Sequence, residues 1–295
     1  MRTGEGRPSR YFIPALVRRR GGGYKAAGLR IRRTMRERLV HVPFRGPIRE
    51  RTVEPYVRLL RGLRGRRRVK GVLFDISSGG GEVVASTDLY LAVRRLNETV
   101  PVFASIGSLG ASGGYLAALG ARRVFAYAES LVGSIGVVYP HVAVRDLVRR
   151  LGVGVDLVHV GEHKDAFQGY RPLTEVERGK LLAVAQDDYE GFVRTVAEAR
   201  RRSPEEIRAL ATGEVWSGAR AHALGLVDAL GDREVALEAL AGEVGVPARR
   251  AVRALPPRPF LERMLAGGAQ AFSASLAERV GESFDELLGL PGLRR

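Results

Sequence analysis

The stretch Gly107-Ser108-Leu109-Gly110-Ala111-Ser112-Gly113-Gly114-Tyr115 holds the residue best placed to do chemistry. Pro101 to Ile106 reads as a short buried strand, and Tyr115 to Leu119 as the first turns of a helix rich in small residues. Between them lies a tight Gly/Ser/Ala corner, which sets Ser112 at the helix entrance. N–H groups at a helix start have no intrahelical partner, so they can stabilise the oxyanion that forms when a serine attacks a carbonyl. The same order of strand, glycine turn and helix is also how any α/β fold turns a corner.

A serine hydroxyl needs an adjacent base. Of 48 basic residues only Lys25, Lys70, Lys164 and Lys180 are lysine, and the other 44 are arginine. Arginine keeps its proton, whereas lysine can act as a base once desolvation lowers its pKa. Lys164 stands in Gly161-Glu162-His163-Lys164-Asp165, delivered by Val153 to Val160, whose alternation predicts a strand. A serine paired with a lysine is one variant of triad chemistry. The alternative for Lys164 is a solvated loop cation. No histidine stands out as the base, although His141, His159 and His163 are close in sequence.

The elements that must position these groups form a repeat. Leu39 to Phe44 predicts a strand, Val53 to Leu63 a helix, and Val69 to Ile76 a buried strand. Ser77-Ser78-Gly79-Gly80-Gly81 follows, then a helix from Glu82 to Asn97. Strand, glycine loop and helix therefore come twice, which implies a parallel sheet with both loops at the carboxyl ends of its strands. Gly80 or Gly81 would offer a backbone N–H there with no side chain in the way. A phosphate cradle is the weaker reading: the loop lacks a closing Gly-Lys-Ser/Thr and the dinucleotide spacing. Further on, Arg123 to Tyr127 predicts a strand and Val142 to Leu151 a helix ended by Gly152. Thr174-Glu-Val-Glu177 is a capping box opening a helix to about Arg202, and Ser203-Pro204 opens another. Helices are also predicted over Ser217 to Leu224 and Asp232 to about Val244.

The 295 residues, 45% of them hydrophobic, are enough to bury a sizeable core. There is no cysteine, which excludes thiol catalysis, disulfides and cysteine-ligated metal; neither a metal nor a cofactor is expected. The net charge of +16 suits a solvated basic surface. No motif with interleaved aromatics marks a nucleic-acid site, and no nucleic-acid partner is expected. Residues 1–36 read as a basic, glycine-rich, poorly ordered arm that is either without function or in peripheral contact with a membrane face. Tyr11 to Val17 is too short and too interrupted for a signal core or a membrane span, so the expected place is the cytoplasm or a membrane surface. Residues 246–295 are expected to be a C-terminal helical extension, broken from the body by Pro256-Pro257-Arg258-Pro259.

Taken in order, these residues resemble the signal peptide peptidase A family of serine proteases, family S49. Ile76-Ser-Ser-Gly-Gly-Gly-Glu-Val83 is similar to the family's Ile-Asn-Ser-Pro-Gly-Gly loop, with Ser77 in place of Asn and Gly79 in place of Pro. Ala111-Ser-Gly-Gly-Tyr115 resembles its nucleophile motif, and Gly133-Ser-Ile-Gly-Val137 its next landmark. Gly161-Glu-His-Lys-Asp165 resembles its Gly-x-x-Lys-Asp base motif, and Trp216 to Asp228 the segment that closes the domain. The resemblance covers about 37–245, with Ser112 and Lys164 separated by 52 positions as in the family.

It implies an α/β fold of the ClpP/crotonase-like class, with repeated ββα units on a parallel sheet plus C-terminal helices. It implies Ser112 as nucleophile, Lys164 as general base, Ser134 as the hydrogen-bond partner of that lysine, and the N–H groups of Gly80 or Gly81 and of Gly113 as the oxyanion donors. It also implies a homo-oligomer, a ring or dome with a composite site, acting on extended apolar peptides such as remnant signal peptides. Two other classes remain: a crotonase-like enzyme acting on acyl-CoA, and a non-enzymatic basic protein binding anionic lipid or nucleic acid.

Overall fold

The computed structural model describes residues 37–256. The expected basic arm (1–36) and the helical extension beyond Pro256 lie outside the described residues. Strand β1 (Arg38–Arg45) leads through a turn to helix α1 (Glu50–Leu63). Then come β2 (Val69–Ser78), α2 (Val83–Asn97), β3 (Val102–Ala111), α3 (Gly113–Ala118), β4 (Arg123–Ala126) and β5 (Leu131–Gly133). Two helices follow, α4 (Arg145–Arg150) and the long α5 (Glu175–Arg200), then α6 (Pro204–Arg208). The remainder is β6 (Val215–Ser217), α7 (Gly218–Ala223), β7 (Ala229–Leu230), α8 (Arg233–Val244), a short 3-10 turn (Ala248–Arg250) and β8 (Val252–Arg253).

The fold is α/β. One sheet runs in the order β6-β5-β3-β2-β1-β8; off this path β4 pairs with β3, and β7 with β4. Every pairing is parallel except β5 with β6. The β2 strand explains why the sheet is covered on both sides. Val72, Phe74 and Ile76 point into one core with Leu89 and Val93 of α2, and Leu73 points into another with Leu240 of α8. Each such side chain fully buried stabilises the fold by roughly 1.5–3 kcal/mol.

The β3 strand is longer than its sequence suggests. It does not end at Ile106 but continues to Ala111, pairing first with β4 (Phe103 to Ile106) and then with β5 (Leu109 to Ala111). Gly107 and Gly110 sit inside the strand and are small because neighbours crowd them: a Cβ on Gly110 would lie 2.7 Å from Ile106 Cγ2. The expected strand over Val153 to Val160 does not form among the described residues, because no other strand lies alongside to pair with it. Val158 and Val160 are 95% and 96% exposed. Residues 246–256 are a 3-10 turn and a strand on β1 rather than helix. No helix of the described residues is long and apolar enough to cross a membrane.

Candidate functional site

With β3 running to Ala111, the corner narrows to one residue. Ser112 takes φ 51° and ψ −126° and α3 begins at Gly113. A non-glycine residue held there stores about 1–3 kcal/mol of backbone strain, which persists only where neighbours impose it. Here they do: Ser112 N–H donates to Gly133 O at 2.7 Å, and Ser112 O accepts from Leu116 N–H at 2.9 Å. Although Ser112 stands at the N-cap of α3, its hydroxyl makes no capping hydrogen bond. It lines a groove instead. Gly113 is the first residue of α3, so its N–H has no intrahelical acceptor.

The glycine loop after β2 presses against this corner. Gly80 has φ 91°, and a Cβ on it would lie 2.6 Å from Gly113 N and 2.9 Å from Ser112 Cβ. The two candidate donors of this loop differ. Gly80 N–H is spent on Ser78 Oγ at 3.1 Å. Gly81 forms a parallel bridge with Ile48, in which Ile48 N–H donates to Gly80 O and Glu82 N–H to Ile48 O. In such a bridge the N–H of the middle residue points away from the partner. Gly81 and Gly79 both line the groove.

That groove has a volume of about 840 Å³. Its apolar surface includes Val83, Leu116, Val137 and Phe192. Ser134 lines it too, with φ 49° and its N–H on Glu214 O at 2.6 Å. Tyr139 donates to Asp188 Oδ2 at 2.5 Å, tying the segment after Ser134 to α5. The structure thus brings together Ser112, Gly113, Gly81 and Ser134, with Gly80 packed directly behind.

It does not bring Lys164 to them. Lys164 is exposed and is absent from the groove lining. Its loop is fastened instead to the start of α5. Arg171 forks onto Asp165, Nε to Oδ2 at 2.8 Å and Nη2 to Oδ1 at 2.9 Å. The same guanidinium reaches Glu177, Nη1 to Oε2 at 2.8 Å and Nη2 to Oε1 at 2.7 Å. Glu177 also closes the Thr174 capping box. Arg171, joined by a hydrogen bond from the Thr174 backbone N–H, holds the Glu177 carboxyl far below the usual carboxylate range; Arg171 likewise lowers Asp165. From Glu177 to Asp187, the first α5 residue on the groove, the helix axis advances about 15 Å.

The three neighbouring histidines belong to this second cluster. His141 Nε2 lies 2.9 Å from Arg171 O, His159 Nε2 3.9 Å from Asp165, and His163 Nδ1 3.7 Å from Glu177. None lines the groove. Arg171 is the residue that sequence reasoning missed. Its signal was an arginine six positions from each of two carboxylates, Asp165 and Glu177, only one of which the capping box had drawn out.

The model of peptidase family S49 matches residues 94–247, which include Ser112, Ser134 and Lys164 and leave out the Gly79–Gly81 loop. The chain belongs to peptidase family S49. As a member of that family it is similar to a "putative protease" of Methanocaldococcus jannaschii, 36% identical over 66% of this chain and 62% of the relative. It is similar to a "putative protease" of Synechocystis sp., 30% identical over 83% of this chain and 88% of the relative. It is similar to the chloroplastic serine protease SPPA of Arabidopsis thaliana, 30% identical over 68% of this chain and 30% of the relative. The chain thus spans nearly all of one relative, and under two thirds of the other two. Among solved structures it is similar to a ClpP1 mutant of Listeria monocytogenes, with a TM-score of 0.44 and 18% identity over 66% of this chain and 91% of that one.

Proposed function

We propose that this S49 family member is a serine endopeptidase that cleaves apolar peptides, such as remnant signal peptides, through an acyl-enzyme. Ser112 is the nucleophile. Its strained backbone, its hydroxyl on an apolar groove and its position beside the Gly113 N–H together carry this reading. Ser112 Oγ attacks the scissile carbonyl while a neutral Lys164 takes its proton. The oxyanion rests on the N–H groups of Gly113 and Gly81. Lys164 then returns the proton to the leaving amine, and water, deprotonated by the same lysine, releases the acyl group. Ser134 accepts or donates a hydrogen bond to the Lys164 amine and orients it.

Because Lys164 is absent from the groove of its own chain, the base comes from an adjacent copy. Exposed side chains in the segments flanking Lys164 in sequence support this. Val142, Leu147, Leu151, Val158, Val160 and Phe167 are between 60% and 96% exposed, a concentration of large apolar side chains suited to a protein interface. The oligomer is then a ring or dome, each site built at a seam between two copies.

The test uses the full chain with casein or a signal-like peptide, and a fluorophosphonate probe. Ser112 should be labelled, and Ser112→Ala should lose both labelling and hydrolysis. Lys164→Ala and Lys164→Arg should both be inactive, since a guanidinium does not give up its proton. Turnover of an acyl-CoA, with no labelling of Ser112, would falsify the peptidase reading in favour of a crotonase-like one. Salt-sensitive binding of anionic lipid or nucleic acid without any turnover would leave only the basic binding protein.

A further inference from the structure

We propose that Arg171 is a positioning residue for Lys164, locking the loop that carries the lysine to the N-terminus of α5. The inference rests on the Ser112–Lys164 reading above.

The Lys164 side chain makes no ion pair among the described residues, so its direction depends on how its backbone is held. Three weak anchors come from the loop itself. Lys164 N–H donates to Gly161 O at 3.1 Å, Ala166 N–H to His163 O at 3.3 Å, and Gln168 N–H to Asp165 O at 3.1 Å. Ala166 is the one buried side chain between Gly161 and Gln168, and an alanine buries little area. The strong anchor is Asp165, the residue next to the lysine, with both carboxylate oxygens on Arg171.

Arg171 has no donor to spare. Nε serves Asp165, Nη2 serves Asp165 and Glu177, and Nη1 serves Glu177 and the Pro172 carbonyl. All five N–H groups of a guanidinium are thereby used, in the planar fork that only arginine presents. Glu177 in turn is part of α5, whose later turns bury Phe192, Val193 and Val196 in the main core and form one wall of the groove. Lys164 is therefore joined to the rigid body through Asp165, Arg171 and Glu177. Without that chain of contacts, the lysine rides on a loop left with its own turns, the 3.7 Å approach of His163 Nδ1 to Glu177 and the hydrogen bond from Val144 N–H to Gly169 O at 3.0 Å.

The contacts lie outside both apolar cores, so breaking them should loosen the loop and leave the sheet intact. Misplacing a catalytic group by about 1 Å can cost on the order of a hundredfold in rate. Arg171→Gln should thus lower kcat on a signal-like peptide by about a hundredfold with KM within about threefold. Arg171→Lys keeps the charge and loses the fork, and should stay at least about tenfold below the unaltered chain.

The deciding readout is the rate at which a fluorophosphonate labels Ser112. Arg171→Gln should slow labelling when Lys164 is present and change nothing further in a Lys164→Ala chain, because Arg171 acts through Lys164. Wild-type kcat in Arg171→Gln overturns the inference. So does an equal slowing in the presence and absence of Lys164, which marks Arg171 as merely structural. Should Arg171→Gln not fold, Asp165→Asn removes only the loop end of the contact and is held to the same outcomes. Full activity in Lys164→Ala alone removes the Ser112–Lys164 reading itself. An inactive Lys164→Ala beside an active Arg171→Gln removes only the role given to Arg171.

Discussion

Around Ser112 the chain supplies its own walls. The β3 and β5 strands, the α3 helix and the Gly79–Gly81 loop close on one residue, and Gly80, Gly81, Gly113 and Gly114 each leave no room for a Cβ. Around Lys164 the picture reverses. The loop lies on exposed apolar surface, the strand expected to precede it has no partner, and a cluster of charges fastens it at one end. One region is strained and complete in a single chain. The other is held on one side and leaves large apolar side chains exposed. A catalytic pair divided in this way would make activity depend on assembly, since the nucleophile alone has no base.

The sharpest way to break that comparison is to divide the pair by mutation. Ser112→Ala and Lys164→Ala should each lower peptide hydrolysis by more than about a thousandfold. If each site draws its serine and lysine from different copies, mixing the two inactive chains before assembly should restore about a quarter of the sites. No recovery on mixing would put both groups in one chain. Next in size is Phe167→Asp, at a side chain 64% exposed in the single chain. A charge buried at a seam costs several kcal/mol, so light scattering should show smaller particles, with hydrolysis lost in step.

The nucleophile half is tested by Gly80→Ala. The added methyl would strike Gly113 N and Ser112 Cβ at a φ of 91°. We expect a loss of stability of about 1–3 kcal/mol and a fall in kcat of at least about tenfold, without any change in particle size. The smallest effect is the most specific to strain. Ser112→Gly should be more stable than Ser112→Ala by about 1 kcal/mol, or about 2–4 °C in melting temperature, because glycine accepts the positive φ that alanine resists. Equal melting temperatures would mean that the corner is relaxed.

Much of the sheet can be read from local pattern because its strands are buried on both faces. Val69 to Ile76 is mainly apolar, broken only by Lys70 and Asp75, and the later helices α5 and α6 start on caps, as Thr174 with Glu177 and Ser203 with Pro204 show. The pattern misled at two places, each for the same reason. Glycines between Ile106 and Ser112 look like a turn, but they continue the strand because β5 lies alongside Leu109 to Ala111 and pairs with them. Val153 to Val160 alternates like a strand, but a strand exists only where another edge pairs with it.

Residue types and their spacing were enough to single out Ser112, Lys164 and the glycines as the chemical inventory, because chemistry of that kind needs a hydroxyl, a base that can lose its proton and unobstructed amides; Ser134 was added only by the family resemblance. Which of these meet is a matter of tertiary structure. Parallel pairing of β2, β3 and β5 brings Gly81, Ser112 and Ser134 to one groove from positions far apart in the chain. The Gly81 donor and the strain at Ser112 follow from contacts between distant segments, which no local pattern encodes, whereas the five-bond fork of Arg171 joins groups within six positions and depends on how the turn between them folds.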